Sequence, residues 1–313
     1  MINVSNNTSL TRWVPFIFVV LWSTGFIGAK YALPYIEPFN LLLIRMLISL
    51  VVFGLLMLAF RSAWPSKSQI MHQLVVGSLV HGAYLGGTFA AIKLHMPAGV
   101  TSLLVGLQPL LTALIAWSIL GERLYPKQWI GLFLGLLGVS MVLLRGQELG
   151  QFDVSMAALI AALIALLGIS IGTLYQKHFG KDVDLLSASF FQYLATAVWM
   201  ALLSGLYEHQ QVQWHPELIL ALIWLVFGLS LSAILLLMYM IREGEASRVA
   251  SYFYLVPPLT ALETWLLFDE VLSVGAIAGV LVTVLGVFLV LKSPRQNVQS
   301  SNNKLGKKIN LSG

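Results

Sequence analysis

Ten apolar runs, each close to the length that crosses a bilayer, take up nearly all of this 313-residue chain. They fall at 13–30, 39–60, 70–91, 97–119, 127–144, 155–175, 186–206, 217–240, 247–268 and 272–291. A hydrocarbon layer of roughly 30 Å takes about 20 residues of helix, and the shorter runs fit by tilt or by local thinning. Lipid offers no hydrogen bonds, so backbone inside it has to bond to itself. The runs are therefore predicted to be helices. Only 10% of residues are charged and 58% are hydrophobic, where a soluble domain carries roughly 25% charged and about 45–50% apolar residues. The connections leave no room for a soluble catalytic domain. Met1–Arg12 is short and polar, and the first run continues into further runs, so it reads as a span and not as a cleaved signal peptide.

The charges report orientation. With a cytoplasmic N-terminus, fourteen basic residues fall on the inner side, among them Arg12, Arg61, Lys67, Lys127, Lys177 and Arg242. Three fall outside (Lys30, Lys93 and Arg145), and Arg45 lies within a span. This excess across short loops predicts that both termini are cytoplasmic. The formal net charge of +5 does not point to nucleic acid, because the basic residues are spread between apolar runs. The absence of cysteine excludes disulfides, thiol catalysis and thiolate metal sites. No GxxxxGK[ST] phosphate loop and no His- or carboxylate-rich metal cluster is present, so the reading includes no cofactor and no metal.

The chain also repeats itself. Shifted by 148 residues, Leu107–Leu124 lies on Leu255–Leu272 with nine of eighteen positions identical. The matches include Pro109/Pro257, Thr112/Thr260, Trp117/Trp265 and Glu122/Glu270, and beyond them Gly131/Gly279 and Gly138/Gly286. A shift of 147 aligns Ser23, Gly25 and Lys30 with Ser170, Gly172 and Lys177. Five helices per half is an odd number, so the halves are expected to insert with opposite orientation. That arrangement suits secondary transporters, whose halves exchange conformations.

These residues are recognisable. Trp22-Ser-Thr-Gly-Phe with Lys30, Arg45 in the second run, and Pro109-Leu-Leu-Thr-Ala…Leu120-Gly-Glu122 with Gly131, Gly135 and Gly138 resemble the drug/metabolite transporter superfamily. More narrowly, the chain resembles its ten-helix EamA-type metabolite exporters. Pro257-Pro-Leu-Thr-Ala…Asp269-Glu270…Gly279…Gly286 fits a second copy. Gly25 stands where many members carry Asn. The resemblance implies an all-α integral membrane protein in two inverted five-helix repeats at 13–144 and 155–291. A segment 1–12, a linker 145–154 and a basic tail 292–313 lie outside the repeats. It further implies a bacterial inner-membrane exporter of amino acids or other metabolites with a central cavity.

Polar groups inside a bilayer are costly, and stripes of them at helical spacing mark either a cavity or interhelical bonds. His81, Tyr84 and Thr88 share one face of the third run, and Gln108 and Thr112 lie beside Pro109 in the fourth. Trp22, Thr24, Tyr175, Tyr239, Tyr252 and Glu263 complete the candidate cavity set. The cavity is expected between helices 1, 3, 4, 6, 8 and 9. Arg45, Pro109, Pro257 and Pro258 read as gating or structural, the prolines as kinks or static bends. Glu263 and His81 are the candidates for a coupled proton. The expected partners are a small neutral or zwitterionic solute, a coupled proton and the lipid bilayer; the chain is expected to be competent as a monomer. A passive channel is the closest rival reading. A membrane enzyme is further off, because no acid, base or nucleophile cluster shares one depth.

Overall fold

The computed structural model describes residues 10–120, 124–148, 154–180, 183–209, 211–236, 240, 255–270 and 273–291. Among them there is no strand. The helices are α1 (Leu10–Ala32), α2 (Pro38–Phe60), α3 (Lys67–Lys93), α4 (Ala98–Ile119), α5 (Pro126–Glu148), α6 (Met156–Phe179), α7 (Leu185–Tyr207), α8 (Pro216–Leu236), α9 (Val256–Phe268) and α10 (Val274–Leu291). Of these, α1 to α8 are long and apolar enough to cross a membrane, and α10 is a shorter apolar helix. The apolar run expected at 247–268 begins in residues outside the described set.

Local chemistry sets the helix starts. Ser66 and Gln69 form a reciprocal capping box at the start of α3, Ser155 caps α6, and Asp184 accepts from the N–H of Leu186 and Ser187 at α7. Each side chain satisfies backbone donors that the first turn leaves unpaired. Proline opens α2, α8 and α9, where its fixed φ and missing N–H do no harm. The fourth span is broken. Ala98–Val105 and Gln108–Leu120 are separate helices, and Pro109 sits in the first turn of the second piece, where its missing donor is tolerated.

The packing inverts that of a soluble protein. Leu58, Phe60 and Val274 are 78%, 73% and 85% exposed, while Arg45, Gln73, His81 and Gln192 are buried. Exposed apolar side chains in this pattern face lipid, and the chain is a multi-pass membrane protein.

Two packing relationships tie the halves together. First, α5 lies antiparallel on α10 through glycines: a β-carbon on Gly131 would fall 2.5 Å from the Gly286 carbonyl oxygen, and one on Gly286 would fall 2.6 Å from that of Gly131. Gly138 and Gly279 meet in the same reciprocal way. Only residues without a side chain let the backbones come this close. Second, α2 packs on α7, and the first piece of α4 packs on α9. Gly106, at the break in α4, lies against Pro257, where a β-carbon would be 2.7 Å from the proline ring.

Two stretches are wound more loosely than an α-helix. Gly77–Ala83 in α3 and Trp224–Ala233 in α8 are π-helical. Shifted by the 148 residues of the sequence repeat, Gly77–Ala83 falls on 225–231, inside the second stretch. The two halves deform at the same place.

Candidate functional site

The π-helical stretches flank a cavity at the middle of the bundle. Its wall is formed by Trp22, Gly25 and Phe26 of α1, Arg45 of α2, Val80, His81, Tyr84, Leu85, Thr88 and Phe89 of α3, Tyr193 of α7, and Leu229 and Ile234 of α8. Widening of a helix by one residue re-aims its side chains, and such stretches recur at functional sites. Here Val80 and His81 come from the first stretch and Leu229 from the second.

The polar groups of the wall are held from behind. Arg45 is 4% exposed, and its Nε donates to Ser230 Oγ at 3.0 Å. Tyr193 donates its hydroxyl to the Ser230 carbonyl at 3.3 Å, and its ring meets the His81 imidazole edge-on at 4.7 Å. His81 Nε2 is 3.2 Å from Gln192 Oε1, and the Gln192 amide donates to Gln73 Oε1 at 2.7 Å. Tyr84 is hydrogen-bonded to Trp22. The Thr88 hydroxyl is buried with no hydrogen-bond partner among the described residues.

The structure thus brings Trp22, His81, Tyr84 and Thr88 together around one space, and adds Arg45 to its wall. The other candidates lie elsewhere. Thr24 accepts from the Trp224 indole at 2.9 Å. Gln108 donates to Thr173 at 3.2 Å. Tyr175 Oη is 2.8 Å from His72 Nδ1. Glu263 accepts from Ser23 at 2.7 Å, with its second oxygen buried and without a partner among the described residues. Thr112 is half-buried, and its hydroxyl has no partner among the described residues. Pro109 follows the α4 break, and Pro257 and Pro258 open α9. Tyr239 and Tyr252 lie outside the described residues.

Sequence reasoning missed Tyr193 and the α2 and α7 contribution to the wall. Tyr193 sits in a helix whose polar stripe is carried by Ser189, Gln192 and Thr196, and one tyrosine beside such a stripe gives no signal of its own. It also missed a polar network at the end of the bundle that the charge count places outside. There Lys30 pairs with Glu270 and lies over the Phe268 ring. Lys93 is 3.7 Å from Glu37 and donates to the Leu33 carbonyl at 2.9 Å. Tyr35 donates to Glu217 at 2.5 Å, stacks on His215, and accepts the Gln213 N–H at its carbonyl. Glu208 accepts the N–H groups of Phe39 and Asn40 at 2.6 and 2.7 Å. Apart from the two Lys93 contacts, which stay within the first half, these fasten the segment 30–40 to the second half. The hydrogen bond to Glu217, followed by burial, raises the Tyr35 pKa. Burial raises that of Glu208 against the opposing pull of its two N–H donors.

The family model of the EamA-like transporter family matches residues 12–144 and again 156–292. An uncharacterized transporter, YvbV, of Bacillus subtilis is 29% identical over 281 residues, 87% of this chain and 88% of that one. A probable amino-acid metabolite efflux pump of Escherichia coli is 26% identical over 87% of this chain and 92% of its own. A solved crystal structure superposes with a TM-score of 0.62 at 24% identity, over 91% of this chain and 96% of that one, and so shares the fold. The double match, one for each half of a chain built of membrane-crossing helices, settles the family: this protein belongs to the EamA-like transporters of the drug/metabolite transporter superfamily.

Proposed function

We propose that the chain is a secondary transporter that exports amino acids or related small neutral or zwitterionic metabolites by alternating access. In this reading ten transmembrane helices form two inverted five-helix halves, 13–144 and 155–291, joined by the linker 145–154. It is competent as a monomer and sits in a bacterial inner membrane with both termini cytoplasmic. The orientation rests on the charge count, and the substrate and direction rest on the relatives named as amino-acid metabolite efflux pumps.

The observation that carries the mechanism is the crossed glycine contact. Gly131 and Gly279 are counterparts in the repeat, as are Gly138 and Gly286, and the contacts run from Gly131 to Gly286 and from Gly138 to Gly279. Exchanging the halves returns the same contacts. Antiparallel helices related this way have their two-fold axis across the helices, which lies in the membrane plane when they span it. The matching π-helical stretches and the pairing of α2 with α7 support the same axis. A bundle of this symmetry has two states of equal plan, open to opposite sides. The fastened outer end, with Lys30 on Glu270 and Tyr35 on Glu217, supports a state closed on that side.

The test is counterflow in liposomes. The purified protein, loaded with a panel of amino acids, should exchange labelled solute, and the rate should saturate. A linear leak without counterflow would establish a channel instead. Comparing wild type and Glu263→Gln with and without a pH gradient tests the proton: unchanged gradient dependence removes Glu263 from coupling.

A further inference from the structure

We propose that Arg45 binds substrate, its guanidinium taking the carboxylate of a small monocarboxylic solute whose body lies against the aromatic wall. This inference rests on the transporter reading of the cavity and names the substrate class for it.

Four observations converge. Arg45 is buried in the cavity wall, and a guanidinium keeps its charge in nearly any protein setting. Among the described residues no carboxylate lies within 4.0 Å of it, and no Asp or Glu lines the cavity. Glu263, inside α9, bonds to Ser23 and is not part of the wall. A buried cation without an anion is costly, and within a membrane such a charge is retained where a pathway uses it.

The geometry of the fork points the same way. Among the described residues only Nε has a hydrogen-bond partner, Ser230, which orients the guanidinium. Neither terminal nitrogen makes a hydrogen bond with a described residue. Two parallel N–H donors of this kind match the two oxygens of a carboxylate.

Thr88 is the independent sign that a ligand belongs here. It is 2% exposed, lines the same cavity, and its hydroxyl has no partner among the described residues. Buried hydroxyls in native proteins are almost always hydrogen-bonded, and a polar group of the solute would satisfy this one.

The rest of the wall defines what the carboxylate is attached to. Trp22, Phe26, Tyr84, Phe89 and Tyr193 supply apolar faces for a hydrocarbon or aromatic body. Those faces also accept an α-ammonium by cation–π attraction, so amino acids and simple organic acids both fit. An amine lacking a carboxylate meets the Arg45 charge with nothing to offset it, and is rejected.

The test uses matched pairs on the purified full-length protein, with binding read by tryptophan fluorescence and calorimetry. The probes are L-phenylalanine with L-phenylalaninamide, 3-phenylpropanoate with 3-phenylpropanamide, L-leucine with L-leucinamide, and 2-phenylethylamine. At least one acid should bind at least about tenfold more tightly than its amide, because removing the charge leaves the guanidinium unpaired. Arg45→Gln should bring that ratio to within about twofold while its elution volume and helical circular dichroism stay as in wild type. Thr88→Val should weaken the acid and keep the preference for acid over amide. Equal binding of acid and amide in the wild type, no binding of any acid, or a preference that survives in a folded Arg45→Gln protein overturns the proposal. If Arg45→Gln does not fold, the wild-type ratio and Thr88→Val decide it: a ratio near one, or unchanged acid binding in Thr88→Val, overturns it. Counterflow separates this inference from the reading beneath it. Acid binding without counterflow removes the transporter and leaves the site. Counterflow of amines or amides alone keeps the transporter and removes the site.

Discussion

Ser23 of α1 donates a 2.7 Å hydrogen bond to Glu263 of α9, two residues 240 positions apart in the chain. The other Glu263 oxygen is buried without a partner, so this single bond is the side-chain support the carboxyl has among the described residues. Ser23→Ala should lower stability by about 1–3 kcal/mol, the usual cost of leaving a buried polar group unsatisfied. Glu263→Gln should cost less, since its amide oxygen still accepts from Ser23. Thermal melting in detergent reads both, and an unshifted Tm in Ser23→Ala would contradict the assignment.

The glycine seam between α5 and α10 predicts a sharp asymmetry. Gly131→Leu or Gly138→Leu forces a side chain into the opposite backbone, and should cost at least about 1–3 kcal/mol or prevent folding. Gly205 has nothing among the described residues within 4 Å of its β-carbon position. Gly205→Ala should therefore be stabilising by about 0.5–1 kcal/mol through backbone entropy and helix propensity alone. A seam variant that melts like the Gly205 variant would refute close packing there.

The Lys30–Glu270 pair is partly exposed, with side chains 27% and 18% accessible, so it adds at most about 1 kcal/mol to stability. Its effect should appear in transport. Lys30→Glu sets two carboxylates together and should slow counterflow by about fivefold, the lower end of coupling between two states. The swap Lys30→Glu with Glu270→Lys should recover most of the rate. Equal rates in all three proteins would mean that the pair does not take part in closure.

Glu208 gives the pH dependence. Burial raises its pKa in the folded protein above the ordinary value of 4.5. The folded state therefore holds the protonated form more readily than the unfolded chain does. The stability this contributes is fully present below the ordinary value and is lost as pH rises through the folded one. The Tm advantage of wild type over Glu208→Gln should be larger at about pH 4 than at about pH 7. An advantage that grows with pH would reverse the sign and exclude burial as the dominant cause.

The chain has no cysteine, so single substitutions report sidedness cleanly. Ser68→Cys and Lys177→Cys should react with an impermeant maleimide only from the cytoplasmic side, and His209→Cys and Gln211→Cys only from the other. All four positions are exposed. Labelling of all four from one side would overturn the orientation drawn from the basic residues.

Part of the site was legible before any fold. His81, Tyr84 and Thr88 share a helical face, and the structure puts all three on the cavity. The same reasoning picked Gln108, which bonds to Thr173, and Thr24, which takes the Trp224 indole. A polar stripe has one spacing whether it faces a cavity or another helix, so periodicity cannot separate the two.

What the sequence alone determined is whatever depends on local composition: membrane-crossing runs, the alternation of basic loops, the duplication, and the family. Each follows from desolvating a stretch of backbone or from aligning the chain with itself, and neither needs a neighbour. Tertiary structure decided what neighbours decide. It put Arg45 in the cavity wall with Ser230 as its protein hydrogen-bond partner, turned Glu263 onto Ser23, and loosened α3 and α8 at matching positions. A charge inside a bilayer is costly wherever it stands along the chain. Whether a counter-ion or an open space faces it is settled only when the helices pack.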